Sequence, residues 1–151
     1  MKTKEEISKK INALIEKNND AYKGFKNAAE NAESSQLKSY LLQQSSERKS
    51  FATTLSSSLH AYNPDFKIDT DGSVTGSIHR SWMDFKSALS MDDDESILEE
   101  CIRGDKASVE EYKEFLQKYP STSDDIKRTI EGQLQNVKNT LNSVERLEDL
   151  H

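Results

Sequence analysis

The chain has 151 residues, 33% of them hydrophobic and 32% charged, with two prolines, five glycines and one cysteine. That length suits one domain over 1–151, and the scarcity of chain breakers favours long helices over many short strands. A formal net charge of −6 with no long basic run disfavours a nucleic-acid partner, and the single Cys101 excludes an intrachain disulfide and a thiolate metal cluster.

The first helix is predicted over 3–33. Thr3 and Glu6 match a capping box, and Ile7, Ile11, Leu14, Ile15, Tyr22, Phe25, Ala28, Ala29 and Ala32 recur at the spacing of one helix face. Ser34 and Ser35 offer a new cap, and a second helix follows over 35–62 with Leu37, Leu41, Phe51, Ala52, Leu55 and Leu59 inward. So short a connection makes the two antiparallel neighbours. Asn63-Pro64 ends the second helix, and 65–76 reads as loop. A short helix is expected over 74–90, where Ile78, Trp82, Phe85 and Leu89 form an apolar face. The acidic run 92–95 suits the positive end of a helix dipole and opens a helix over 94–119, with Leu98, Cys101, Val109, Tyr112, Leu116 and Tyr119 inward. Pro120 breaks the chain, and a last helix is predicted over 123–149 with Ile126, Ile130, Leu134, Val137, Leu141, Val144 and Leu147. Four long helices with a long middle connection that carries a short one point to an all-α, ferritin-like four-helix bundle. The N-terminus lacks an apolar run fit for a signal peptide and no stretch is long enough for a membrane span, so a cytoplasmic setting without a membrane partner is expected.

The stripes are informative where they fail. Asn18 sits seven residues from both Ile11 and Phe25. Gln44 and Arg48 follow Leu41 at seam spacing, with Glu47 beside them. Asp105 lies four residues from both Cys101 and Val109. Gln133, Asn136 and Thr140 flank the last stripe. Each interruption is near the middle of its helix, and in an antiparallel bundle the middles share one level. The spacing therefore predicts a polar layer in which Asn18, Glu47, Arg48 and Asp105 converge.

Ferritin-like di-iron and di-manganese proteins hold their metals at that level, with a Glu from each of two helices and Glu-x-x-His from each of the others. Here Glu47 is followed at the third position by Ser50, and residues 133–136 supply no ligand pair. His60, His79 and His151 all fall away from mid-bundle. The reading is no metal, no cofactor and no catalytic residue, with Arg48 in the electrostatic place of the metal. His79 with Trp82 is weighed as a ligand contact against a structural cap, and Cys101 is read as a core thiol. Gly24, Gly104 and Gly132 lie inside helices, where each costs about 1 kcal/mol against alanine. Close helix approach, a π-bulge, or tolerance on an exposed face would each account for them.

Several phrases resemble a bacterial family of ferritin-like domains of unknown function. They are Leu14-Ile15-Glu16-Lys17-Asn18-Asn19-Asp20 with Gly24-Phe25, then Glu47-Arg48 with Phe51-Ala52, and Arg103-Gly104-Asp105. The most specific is Gly76-Ser77-Ile78-His79-Arg80-Ser81-Trp82. The resemblance implies a four-helix bundle without an established activity. Helix 4 of that family often carries a histidine where Asn139 or Thr140 stands here, and its absence weakens any inherited metal role. The function expected is a non-catalytic bundle, not an enzyme, that acts through interactions with partners the sequence does not identify. A homodimer belongs to that reading, as does a place in stress physiology suggested by ferritin-like relatives. The alternatives are a metal-binding oxidoreductase or iron-handling protein with a degenerate carboxylate site, and a module binding a small apolar or anionic ligand.

Overall fold

A computed structural model describes residues 3–69, 94–120 and 122–149. Those residues form four helices: α1 (Lys4–Asn31), α2 (Ser35–Tyr62), α3 (Asp94–Lys118) and α4 (Asp124–Asp149). No strand occurs among the described residues. The predicted helix over 74–90, with His79 and Trp82, lies outside them, as does His151.

The caps expected from sequence fix the helix starts. The Thr3 hydroxyl accepts from the Glu6 N–H at 3.1 Å. Ser34 does the same for Leu37 at 3.3 Å, and Ser123, a cap not singled out from sequence, does so for Ile126 at 3.3 Å. Each satisfies an N–H that has no partner inside its helix. Asp94 does more than open α3. Its two carboxylate oxygens accept the Glu33 and Ser34 N–H groups, each at 2.9 Å, and so tie the start of α3 to the α1–α2 turn.

That tie, together with the core, sets the helix directions. One apolar cluster joins Ile7, Ile11 and Ile15 of α1 to Leu55 and Leu59 of α2, Tyr112 and Phe115 of α3, and Ile126 and Ile130 of α4. The other joins Phe25, Ala28 and Ala29 to Leu41, Ile97, Cys101 and Val144. The start of α1 and the end of α2 therefore share one end of the bundle with the α3–α4 turn. The other end holds the α1–α2 turn and the start of α3. α1 runs parallel to α4 and α2 parallel to α3, so two antiparallel hairpins pack together, and the ends of α2 and α3 that the chain must join stand at opposite ends of the bundle.

Three details of the seam differ from expectation, the first being that Leu141 of α4 is only half-buried. In α3, Phe115 is buried and Leu116 only half-buried. Phe115 lies three residues after Tyr112 and four before Tyr119, so it fits the seam spacing as well as Leu116 does and takes the inward place. Tyr22 is half-buried and lies under the Lys49 ammonium, 5.1 Å from its ring centroid. No described helix is long and apolar enough to cross a membrane.

Candidate functional site

The two apolar clusters meet at a layer of buried polar side chains. Asn18 of α1, Arg48 of α2 and Asp105 of α3 are each at most 3% exposed. All three occupy apolar-seam positions, so helix packing carries them inward whatever their polarity. A charge in such a place is tolerated only when paired and hydrogen-bonded.

Arg48 is the hub. Its Nη2 donates to Asp105 Oδ1 at 2.7 Å. Its Nη1 donates to Asn18 Oδ1 at 3.2 Å and to Ser108 Oγ at 3.3 Å. The rings of Phe25 and Phe51 lie 6.0 and 5.9 Å from the guanidinium carbon, one from each apolar cluster. A planar cation suits this setting, because it spreads its charge, offers several donors and tolerates aromatic neighbours.

The network then runs across the bundle. Asn18 Nδ2 donates to the Leu14 carbonyl at 2.9 Å and to the Tyr112 hydroxyl at 3.0 Å. Tyr112 donates to Gln133 Oε1 at 2.8 Å. Gln133 Nε2 returns to the Phe51 carbonyl on α2 at 3.3 Å. The Tyr40 hydroxyl reaches Asp105 Oδ2 at 3.5 Å. All four helices thus contribute to one connected set of hydrogen bonds.

Burial pushes the Asp105 carboxyl above its ordinary range, and the adjacent Arg48 guanidinium works against that rise. Burial likewise raises Tyr112 and Tyr40, the latter helped by the Asp105 charge. The Cys101 thiol is pushed up by burial and by Asp105, so it is held as an inert thiol and not a nucleophile. At the α1–α3 boundary, Lys17 pairs with Glu111, its side chain 22% exposed. Partial burial and the charge of Arg48 nevertheless bring Lys17 down to about 8.

Glu47 does not sit on the seam with the other three. It is half-buried at the margin of the layer, where burial raises its carboxyl against the pull of Arg48. Gln44 and Gln133 are buried, Thr140 and Asp20 half-buried, and Asn136 exposed. His60, the one histidine among the described residues, is exposed near the end of α2.

Sequence reasoning missed Tyr112 as a polar member, because its position reads as apolar seam. It also missed a second buried polar group on α1. Ser8, Asn12 and Glu16 are at most 5% exposed. Asn12 Nδ2 donates to Glu16 Oε1 at 3.1 Å, and Asn12 Oδ1 accepts the Asp69 N–H at 2.9 Å. Asn63 Nδ2 donates to Ser8 Oγ at 3.0 Å. The 8, 12, 16 spacing of three polar residues on one helix face was the available signal.

The layer does not fit a two-metal centre. Its buried carboxylate already faces a guanidinium, its other members are an amide, hydroxyls and a glutamine, and no imidazole is among them. Among the described residues no group of three or more His, Cys, Asp or Glu stands together as a metal-ligand set.

Comparison with curated proteins finds no match, and comparison with solved structures finds none. A family model described as a domain of unknown function (DUF2383) matches residues 6–118, from the first turn of α1 to the end of α3, with the Asn18, Arg48 and Asp105 layer inside the match. The chain belongs to this DUF2383 family of domains of unknown function.

Proposed function

We propose that the protein is a ferritin-like bundle, one domain over 1–151, that carries no catalytic centre and acts through interactions of its outer surface. Two antiparallel hairpins whose α2 and α3 run parallel are what a ferritin-like connection requires, and the helix directions support that classification. A cytoplasmic bacterial setting, a homodimer and a role in stress physiology belong to the same proposal.

The observation that carries it is the Arg48–Asp105 pair at 2.7 Å in the centre of the bundle. In a di-metal relative of this fold, that level supplies several carboxylates and imidazoles to offset and orient cations. Here a resident guanidinium supplies the positive charge, three of its N–H groups donate to Asp105, Asn18 and Ser108, and an incoming divalent ion would meet a like charge. Arg48 stands electrostatically where a metal stands in such proteins.

Elemental analysis tests this reading. Protein purified without a histidine tag and reconstituted anaerobically with ferrous iron is expected to retain no stoichiometric iron after desalting. Loosely held magnesium or calcium on surface carboxylates is compatible with it. Two irons per chain with ferroxidase turnover would overturn it in favour of the iron-handling alternative.

A further inference from the structure

Short turns fix the register within each hairpin: α1 and α2 are separated by residues 32–34, and α3 and α4 by 119–123. Between the hairpins the chain runs through 63–93, so no short turn joins α2 to α3. The apolar seam sets the alignment of the two hairpins weakly. Among Ile7, Ile11, Ile15, Leu55, Leu59, Ile126 and Ile130 of the larger cluster, a shift of one turn replaces one branched side chain with another of similar volume.

The polar layer is different in kind. Besides the long Tyr40–Asp105 contact at 3.5 Å, four of its bonds cross from the first hairpin to the second. Arg48 donates to Asp105 at 2.7 Å and to Ser108 at 3.3 Å. Asn18 donates to Tyr112 at 3.0 Å, and Gln133 to the Phe51 carbonyl at 3.3 Å. Each needs its partner within a few tenths of an ångström. A slip of one turn, about 5.4 Å, would break all four at once. It would also leave a guanidinium and a carboxylate buried apart, an arrangement far costlier than any exchange of apolar neighbours. Asp94 adds a tie at the α1–α2 turn, but those bonds lie near the surface, where water competes for them.

We propose that the Arg48 layer is a register latch, which selects one alignment of the two hairpins out of several that the apolar seam would accept. This does not rest on the metal reading. A layer that serves only stability would behave differently, because a buried ion pair adds little or nothing over well-packed apolar residues of the same volume. The latch is felt in the uniqueness of the fold.

The test combines Arg48→Met, Asp105→Leu and Asn18→Leu in the full chain, which removes the charges together and leaves none buried alone. The melting midpoint should be unchanged or higher. The 1H–15N correlation spectrum should show more than one peak for amides of α3 and α4, and the near-UV circular dichroism should fall. One sharp peak per amide with wild-type near-UV dichroism would overturn the latch. If the triple variant does not fold, the Arg48→Met, Asp105→Leu double variant decides, because it removes the ion pair that a slip would separate and leaves no charge buried alone. Peak doubling in α3 and α4 together then supports the latch, and a single wild-type-like spectrum overturns it.

Discussion

The core differs on the two sides of the layer. Toward the α3–α4 turn it is filled by Ile7, Ile11, Ile15, Leu55, Leu59, Phe115, Ile126 and Ile130. Toward the α1–α2 turn α1 offers Ala28 and Ala29, with Ala32 just past its end, and α3 offers Cys101 among Ile97, Leu98 and Ile102. The first region removes large apolar side chains from water, and its contribution to stability is mostly area. The second closes on small side chains, so close helix approach and the Asp94 tie to the α1–α2 turn share the work there. One fold thus contains a region sensitive to lost volume and a region sensitive to added volume.

Leu55→Ala is the largest single expected effect within that contrast. Leu55 is fully buried, and its truncation should lower unfolding free energy in urea by about 2–5 kcal/mol. Ala28→Leu tests the other side. Ala28 is also fully buried, and added methylenes there should destabilise by about 1–3 kcal/mol through overpacking. If Ala28→Leu instead stabilises, the α1–α2 turn region holds unfilled space and the contrast fails.

Lys17 sharpens the comparison at the boundary between the regions. Its amine titrates near 8 in the folded protein against 10.5 when free of the fold. Between those values the unfolded chain binds more protons than the folded one, so stability should rise with pH through that window. Unfolding measured at pH 8 and pH 10.5 should show this gain in the wild type, after subtraction of the same curve for Lys17→Met. A difference curve that falls with pH would show that the Glu111 pair, and not burial, governs the amine.

Gly104→Ala and Gly132→Ala should give the smallest effects, and of the opposite sign. Both glycines are exposed, and a Cβ at either meets open space. Of the explanations weighed from sequence, tolerance on an exposed face therefore accounts for these two, and alanine should raise the melting midpoint at each by the equivalent of about 0.5–1 kcal/mol. Gly24 is buried.

Helix positions were legible because local signals and periodicity agreed. Thr3 and Ser34 cap as their types suggest, and Asn63-Pro64 ends α2 as its missing donor demands. Asn18, Arg48 and Asp105 were legible as polar residues at seam spacing, since spacing decides which way a helical side chain points. What periodicity cannot encode is the partner. Tyr112 reads as core by position and acts as a bridge through one hydroxyl. Ser108 reads as an unremarked surface-type residue and accepts from Arg48. Glu47, one residue before Arg48, was placed with it by proximity in sequence, but a 100° step per residue turns it to the margin. Ser8, Asn12 and Glu16 were missed because one buried face was assumed for α1, whereas contacts from Asn63 and Asp69 lie over a second.

The central claim is that a mutually satisfied charge pair, Arg48 with Asp105, occupies the middle of the bundle. A double-mutant cycle in urea tests it most directly. Arg48→Met alone and Asp105→Leu alone should each destabilise by about 3–5 kcal/mol, because each strands one buried charge. The two together should fall within about 1 kcal/mol of wild type, since no charge is then left without its partner. Additive losses in the double variant would contradict the account.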